Sequence, residues 1–162
     1  GIGFYDKAVI NPYRHIHCYI NIPDTSGRDS LFQAEARRCK NILDIIEKHP
    51  NKKHFCIFDE LYSGTNPYEA ISSAYSYLSH ISKNKNVRFL LTTHYIRLCK
   101  LFDKKTISNK SMKTLFKENN DPHYTYKITN GISTVKGGVS VLKNLKYPEN
   151  IINMTYKILE NI

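Results

Sequence analysis

The sequence lacks the features that mark secreted proteins and membrane proteins. Its four cysteines, Cys18, Cys39, Cys56 and Cys99, form no Cys-x-x-Cys pair, and each has apolar neighbours, which predicts reduced, buried thiols. No stretch approaches the ~20 apolar residues that a membrane-spanning helix needs, and no apolar segment follows a basic start as it does in a signal peptide. We therefore expect a soluble, intracellular protein and leave its compartment open.

Positive charge exceeds negative charge by a wide margin. The chain carries 24 Lys and Arg residues against 14 Asp and Glu residues, a net charge of +10 over 162 residues. A positive field of this kind attracts polyanions, nucleic acids first among them. The lysines are scattered rather than gathered in one run, and scattered lysines are also typical of an ordinary solvated surface. The charge leaves both interpretations open.

Strands and helices are predicted to alternate over the first two thirds of the chain. Ile16, Cys18, Ile20 and Ile22 recur at every second position, which predicts a strand over 14–22 that buries this face. The elements predicted after it are a helix over 31–49, an apolar strand over 55–58 covered on both faces, a helix over 67–82, a strand over 87–91 and a short helix over 95–102. This alternation favours an α/β fold, with a mainly parallel sheet flanked by helices.

The last third of the chain has a different pattern. Residues 112–116 and 123–129 are predicted strands, and the second of them ends at the turn dipeptide Asn130-Gly131. Helices are expected over 139–145 and 148–159 after a pair of glycines. Neither an internal repeat nor a low-complexity segment divides the chain, so the sequence predicts one α/β domain over residues 1–162.

Two acids directly follow the apolar strand over 55–58. Ligands bind where the strands of an open parallel sheet end, and Asp59 and Glu60 lie at that place. An aspartate there can hold Mg²⁺, and the adjacent glutamate can polarise a water for attack on phosphorus. Two solvated acids at a strand end are the alternative. The next strand also ends in polar residues, so we expect His94 to lie near Glu60, where it can bond a phosphate oxygen or orient the water.

Several segments carry recognisable motifs in a fixed order. Residues 27–35 contain Ser-Leu-Phe followed by Glu, residues 55–67 run from four apolar residues through Asp-Glu into a Gly-Thr loop, and residues 91–95 read Leu-Thr-Thr-His-Tyr. Together they resemble the Ser-Thr-Phe-x-x-Glu segment, the Walker B strand with its D-loop, and the switch-histidine segment of the MutS family of mismatch-repair ATPases. The segments that resemble the rest of that family's pattern are 41–43, 124–131, 137–141 and 148–152.

The resemblance implies a P-loop NTPase fold of the ABC-ATPase type, of which this chain would be the C-terminal portion. It also implies roles for single residues. Asp59 would hold Mg²⁺ through water, Glu60 would activate the hydrolytic water, and His94 would sense the γ-phosphate of ATP. Glu60 and His94 would thus be catalytic, and ATP and Mg²⁺ would be the cofactors.

The resemblance further implies a composite site between two subunits. Ser30 would reach the γ-phosphate of the nucleotide in the partner subunit, while Thr65 and Asn66 would lie across the subunit contact. The residues themselves also support a plainer role for Ser30. With Gln33 three positions later it forms a capping-box pattern at the start of a helix, and a helix N-terminus is a natural anion site. The two roles are compatible.

One motif of such an ATPase is absent. The pattern GxxxxGK[ST], whose backbone amides and lysine cradle the phosphates, does not occur in this sequence. The chain starts with Gly1 rather than Met, which favours a piece of a longer protein truncated just after that loop, and we expect no ATP hydrolysis by the fragment alone. Tyr62-Ser63 replaces the family's commoner Gly-Arg, and Leu31 replaces a Thr. The family's mismatch-recognition, lever and clamp regions have no counterpart here.

We therefore expect the ATP-binding and hydrolysing motor part of a MutS-like DNA mismatch-repair protein. It would couple its nucleotide state to a clamp on double-stranded DNA, mismatched or branched, in a homodimer or heterodimer. One alternative is an ABC-type ATPase of recombination or chromosome maintenance, although a Ser-Gly-Gly-type signature ahead of the acid pair is absent. Another is a basic nucleic-acid-binding or dimerisation module that does not hydrolyse ATP.

A metal site at the first strand is a weaker candidate. His15, His17 and Cys18 are metal-ligating residue types, but in an alternating strand the two histidines share one face and Cys18 lies on the other. A packed strand is favoured. Tyrosines at helical spacing in the helix over 67–82 are likewise more typical of a core or an interface than of a surface that stacks on bases.

Overall fold

The computed structural model describes residues 3–20, 30–102, 107–116, 122–133 and 135–161. The chain divides into two compact units, Gly1–Phe102 and Asp103–Ile162, where the sequence suggested a single domain. The extent of the domain over 1–162 stays a prediction. The first unit contains the residues predicted to form the site.

The first unit is built on a three-stranded parallel sheet. Its strands are β1 (His15–Tyr19), β2 (His54–Asp59) and β3 (Val87–Thr92), in the order β1-β2-β3. Helix α1 (Leu31–Lys48) connects β1 to β2, α2 (Pro67–Ile81) connects β2 to β3, and α3 (Ile96–Leu101) follows β3. The predicted α/β fold with a parallel sheet and flanking helices is confirmed, and the strands and helices begin and end within a few residues of their predicted limits.

The two long helices begin where their capping residues place them. Ser30 forms a capping box with Gln33, in which the Ser30 Oγ accepts from the Gln33 amide and the Gln33 side chain accepts from the Ser30 amide. Asn66 caps α2, and Pro67 occupies its first turn, where a missing N–H costs nothing. Helix α1 ends at Lys48, two residues before Pro50.

The core of this unit lies between the helices and one face of the sheet. From α1 it takes Cys39, Ile42 and Ile46, and from α2 it takes a stripe of small and branched residues at helical spacing. From the strands it takes Tyr19, Cys56 and Phe58, and Phe58 packs edge-on against the Tyr77 ring, with 5.8 Å between the ring centres. The α2 stripe consists of Ala70, Ala74, Leu78 and Ile81.

The prediction that Ile16, Cys18, Ile20 and Ile22 form the buried face of β1 is wrong. His17 and Tyr19 are buried, at 6% and 1% exposure, whereas Ile16 is 67% exposed and Cys18 is also exposed. The large side chains point inward because their polar tips find partners there, and each apolar ring then adds to the core. Ile20 is exposed as well, and Ile22 lies outside the described residues.

The opposite face of the sheet is more open than the sequence suggested. Strand β2 was expected to be covered on both faces, but Phe55 and Ile57 are only partly buried and Leu90 on β3 is 62% exposed. The prediction of four buried thiols holds for Cys39 and Cys56 and is wrong for Cys18, while Cys99 is intermediate.

Four histidines form a stack at the amino end of the strands. His17 and His54 are buried, and their ring atoms Nε2 and Nδ1 are 3.0 Å apart. His54 Nε2 lies 3.0 Å from the His49 carbonyl oxygen, so it must donate there, which leaves Nδ1 to accept from His17. The His15 ring stacks on the rings of His49 and His54 at 5.1 and 4.8 Å between ring centres.

The second unit pairs two antiparallel strands and carries two helices. Strand β4 (Lys110–Phe116) pairs with β5 (Pro122–Asn130), with an irregularity between Met112 and Thr114. Gly131 follows β5 with φ +115°, a conformation that glycine adopts readily. Helices α4 (Gly138–Asn144) and α5 (Glu149–Leu159) lie close to their predicted positions. Within the ranges described above, no helix has the length and apolar character to cross a bilayer.

Candidate functional site

The carboxyl ends of β2 and β3 bring the predicted acids and the predicted histidine together. Asp59 and Thr92 are register partners at the ends of the two strands, and the Thr92 hydroxyl donates to the Asp59 carboxylate. One residue further on, the Glu60 amide donates to the Thr92 carbonyl at 3.1 Å, so the strand pairing continues to the acid. This arrangement follows from parallel pairing, which ends neighbouring strands at the same edge.

The His94 ring lies beside the Glu60 carboxylate. His94 Nδ1 is 3.2 Å from Glu60 Oε1, and the two side chains are 58% and 53% exposed. The expected proximity of His94 and Glu60 is therefore found. A carboxylate held by an imidazole N–H at an open edge can accept a proton from a water, and the second ring nitrogen stays available to a ligand.

The turn after β2 has an unusual backbone. Glu60 and Tyr62 have φ values of +51° and +60°, in the left-handed region, which costs a residue with a Cβ about 1 kcal/mol. Contacts around Tyr62 offset this cost. Its amide donates to the Tyr19 hydroxyl at 3.2 Å, and its ring lies 5.7 Å from that of Phe32, measured between ring centres. The buried Tyr62 side chain therefore anchors the turn that presents Glu60 to solvent.

Thr65 and Asn66 are engaged with the start of α2. The Asn66 Oδ1 accepts from the amides of Tyr68 and Glu69, both at 3.1 Å, and the Thr65 hydroxyl donates to Glu69 Oε2 at 2.6 Å. In this chain both side chains thus shape the loop and cap the helix. Their predicted place across a subunit contact stays a prediction.

Ser30 occupies the N-cap of α1 and is exposed. The loop that carries Thr65 lies against the same helix end, because a Cβ on Gly64 would fall 2.7 Å from Leu31 Cγ and 2.8 Å from the Phe32 amide nitrogen. The structure therefore brings Asp59, Glu60 and His94 together at the strand ends, and it seats the following loop on the first turn of α1.

Glu35, the last residue of the Ser-Leu-Phe-x-x-Glu segment, lies at the centre of this region, a place that the sequence did not predict. Glu35 is 2% exposed and accepts hydrogen bonds from the Ser63 amide, the Ser63 hydroxyl and the Gly64 amide. A signal for it exists in the sequence. Glu35 stands at the helical spacing of Cys39, Ile42 and Ile46, so it is a carboxylate on the apolar face of α1.

The protein interior disfavours the ionised forms of the phenols and thiols behind the site. Burial raises the pKa of Tyr19, and the Glu35 carboxylate raises it further, although the Tyr62 amide that donates to its oxygen lowers it. Burial likewise raises the pKa of Tyr62, and it raises that of Cys39 to about 12. These groups stay neutral near pH 7, so they add no charge behind the site at the strand ends.

The oxygen donors at the strand ends suit a hard divalent cation. Mg²⁺ in nucleotide sites is held by one or two carboxylates together with phosphate oxygens and waters, and Asp59 offers an exposed carboxylate of this kind. In the portion of the chain with described coordinates, no group of three or more His, Cys, Asp and Glu side chains has the geometry to hold a metal ion. His15 and His17 lie on the inner face of β1 and Cys18 on the outer one, as the alternation predicted, so these three side chains do not share a face.

Comparison with known proteins gives a consistent result. The family model described as MutS domain V matches residues 4–162. The DNA mismatch repair protein MutS of Clostridium botulinum (strain Alaska E43 / Type E3) is 33% identical over 142 residues, which cover 86% of this chain and 15% of that protein. The protein of the same name from Clostridium perfringens is 32% identical over 142 residues, which again cover 86% of this chain and 15% of the relative. That of Finegoldia magna is 30% identical over 135 residues, 83% of this chain and 15% of the relative.

Proposed function

This chain belongs to the MutS family, in the part of it described as domain V, and on that premise we propose that it forms the ATP-hydrolysing part of a DNA mismatch-repair protein. The chain spans about 15% of the length of the curated relatives it matches. The activity, the DNA substrate and the subunit partners of the whole protein are therefore part of the proposal. The fold proposed is that of a P-loop NTPase of the ABC type, with the phosphate-binding loop supplied from outside this sequence.

The observation that carries the proposal is the contact between His94 and Glu60 at the carboxyl edge of the sheet, next to Asp59. Glu60 is the general base in this proposal. Its carboxylate takes the proton from the water that attacks the γ-phosphorus, while the His94 N–H fixes the orientation of that carboxylate. His94 also reports the presence of the γ-phosphate, because with a proton on each ring nitrogen it can donate to Glu60 through Nδ1 and to a phosphate oxygen through Nε2.

Asp59 is the residue that would hold Mg²⁺, through water. The cation would neutralise charge that develops on the phosphate oxygens. In the chain itself, the Thr92 hydroxyl bonds one Asp59 oxygen and thereby orients the carboxylate at the end of β2. A fixed carboxylate loses less conformational freedom when a ligand binds than a mobile one does.

The remaining predicted residues serve the partner subunit in this proposal. Ser30 at the N-terminus of α1 would contact the γ-phosphate bound by the partner, where the orphan amides of the helix favour an anion. Thr65 and Asn66 would face the same contact from the loop before α2. Hydrolysis would thus depend on a dimer of MutS-like subunits, and the dimer would act as the clamp on double-stranded DNA.

The experiment that tests the proposal is ATP hydrolysis by the full-length protein, with and without mismatched DNA. Glu60→Gln removes the base and keeps the size of the side chain, so we expect kcat to fall by about 100-fold or more. Glu47→Gln is the matched control. Glu47 is 57% exposed and lies 3.7 Å from a histidine, His80, so it shares the surroundings of Glu60 but not its place on the sheet edge. We expect Glu47→Gln to hydrolyse ATP at the wild-type rate.

The result of this experiment decides among three kinds of protein. Hydrolysis that depends on Glu60 and responds to mismatched DNA supports the proposed ATP-hydrolysing part of a mismatch-repair protein. A full-length protein that neither binds nor hydrolyses ATP overturns it and favours the non-hydrolysing nucleic-acid-binding or dimerisation module. Hydrolysis that is stimulated by branched DNA, and no more by mismatched than by matched DNA, points instead to an ATPase of recombination.

A further inference from the structure

Glu35 is a buried carboxylate that holds a loop rather than a charged partner. Its Oε1 accepts from the Ser63 amide at 3.1 Å and from the Ser63 hydroxyl at 3.0 Å, and its Oε2 accepts from the Gly64 amide at 3.0 Å. Removing a carboxylate from water is costly unless hydrogen bonds replace the lost hydration. Three donors from one loop replace it here, so the stability of the buried Glu35 and the position of the loop depend on each other.

The loop and the helix are also in direct steric contact. Gly64 packs so closely on α1 that a Cβ would fall 2.7 Å from Leu31 Cγ and 2.8 Å from the Phe32 amide nitrogen. One of these neighbours is backbone, which cannot rotate away. The loop over 60–66 is therefore seated on the first turn of α1, directly after the Ser30 cap.

This loop would not hold its shape without such anchors. Two of its residues, Glu60 and Tyr62, have positive φ values, and conformations of this kind persist only where the surroundings over-determine them. The Tyr19 hydroxyl holds the Tyr62 amide, and Glu35 holds the next two amides along the chain. Together with the bond from the Glu60 amide to β3, these contacts fix the loop to α1, β1 and β3.

We propose that Glu35 is a positioning residue that joins the loop over 60–66 to the first turn of α1, so that Glu60 and Ser30 move as one body. The inference rests on the proposed function. There, Glu60 serves the nucleotide of its own subunit and Ser30 that of the partner. Glu35 then links the two half-sites within one subunit, and a displacement of Ser30 by the partner's nucleotide is passed directly to the base.

The test compares Glu35→Gln with the wild type in the full-length protein. The substitution keeps the size of the side chain, but the new amide N–H₂ faces a backbone N–H of the loop, so one of the anchors is lost. We expect kcat for ATP to fall by about tenfold and KM to change by less than about twofold, because the substrate-binding groups are untouched. Binding of a non-hydrolysable ATP analogue measures the folded, active fraction, and we expect it to match the wild type.

Two further variants test the positioning role even if Glu35→Gln fails to fold. Ser63→Ala removes one of the two Ser63 donors to the Glu35 carboxylate, and we expect only about a two- to threefold loss of kcat because the Ser63 amide still bonds Oε1. Gly64→Ala keeps the Glu35 carboxylate but forces the loop off α1, because the added Cβ would fall 2.8 Å from the Phe32 amide nitrogen and 3.0 Å from Glu35 Oε2, and we expect it to lower kcat as Glu35→Gln does. Unchanged kcat in both variants would overturn the positioning role.

A double-mutant cycle separates positioning from general weakening of the fold. Ser30→Asn removes the hydroxyl but keeps a good N-cap, so α1 still begins at the same residue. If Glu35 acts by carrying the motion of Ser30, Ser30→Asn and Glu35→Gln together should lose about as much kcat as the larger single loss. Losses that multiply would show that Glu35 acts independently of Ser30 and would contradict the coupling.

The same assay distinguishes this inference from the proposed function. If the wild-type protein does not hydrolyse ATP, or if Glu60→Gln is as active as the wild type, the proposed function fails. If Glu60→Gln is inactive while Glu35→Gln and Gly64→Ala keep full kcat, the function stands and the positioning role fails.

Discussion

The two ends of the same three strands hold histidines in opposite surroundings. At the carboxyl end, His94 is more than half exposed and contacts the acid Glu60. At the amino end, His17 and His54 are buried in a stack and bond to each other and to a backbone carbonyl. Residue type alone does not decide what a histidine does. An exposed imidazole beside a carboxylate can work on protons, whereas a buried, fully bonded one contributes to the fold.

The largest effect is expected for a substitution of the buried His54. His54→Ala leaves a cavity, and it leaves the His17 N–H and the His49 carbonyl without their partners. We expect the free energy of unfolding to fall by about 3 kcal/mol. Amide hydrogen exchange of β2 in the full-length protein measures this as a loss of protection. The ATPase rate per folded molecule should stay at the wild-type value, and a selective loss of kcat with intact protection would contradict the structural role.

The opposite result is expected at His94. His94→Ala removes the N–H that orients Glu60, and we expect kcat to fall about tenfold, while protection of β3 changes by less than about 0.5 kcal/mol. His94→Asn should recover part of the rate, because the Asn amide can donate from nearly the position of Nδ1.

His80→Ala is the control for His94→Ala. His80 is 57% exposed and lies 3.7 Å from a carboxylate, so it matches His94 in both respects. An equal loss of rate in the two variants would show that exposed His–Glu pairs matter only for general electrostatics.

The smallest expected effect is a pH dependence of the folding stability, which arises from the histidines at the amino end of the strands. Burial first, and then the neighbouring His54, His15 and Arg38, lower the pKa of His17 to about 4. The unfolded chain binds a proton near pH 6.5, so between pH 6.5 and about 4 it binds more protons than the folded chain does. The stability that His17 contributes is therefore complete above pH 6.5 and falls as the pH falls.

The neighbouring His15 changes the folding stability with pH in the same direction as His17. The pKa of His15 is also lowered, by desolvation and by His54, His49 and Arg14. From pH 7 to pH 5 we expect proton binding to His17 in the unfolded chain to lower the protection of β1 by about 1 kcal/mol, measured by hydrogen exchange after correction for intrinsic rates. His17→Gln should reduce this loss by at least half. A pH dependence of the same size in His17→Gln would assign it to other groups.

Much of the fold could be predicted because its signals are local. The capping box at Ser30, Pro67 at the start of α2 and the apolar runs of β2 and β3 each specify an element within a few residues. The contact between His94 and Glu60 was also predictable, since parallel strands end at the same edge of a sheet.

What could not be predicted depends on tertiary contacts. The alternation in β1 fits either face, and the outcome is decided by the partners that His17 and Tyr19 find inside, which are 37 and 43 residues away in the sequence. Glu35 shows the same limit. Its place on the apolar face of α1 can be inferred from the sequence. Its bonds to Ser63 and Gly64 cannot, because they join positions 28 and 29 residues apart.

The open face of the sheet affects how this protein can be handled. Ile16, Ile20 and Leu90 are 67%, 46% and 62% exposed, and apolar surfaces of this kind favour self-association. A preparation of the 162-residue chain alone, at the concentrations used in enzymology, would tend to precipitate despite its net charge of +10. A missing signal from such a sample would have two causes, aggregation and the absence of the phosphate-binding loop from this sequence, and for this reason the full-length protein is the one to assay.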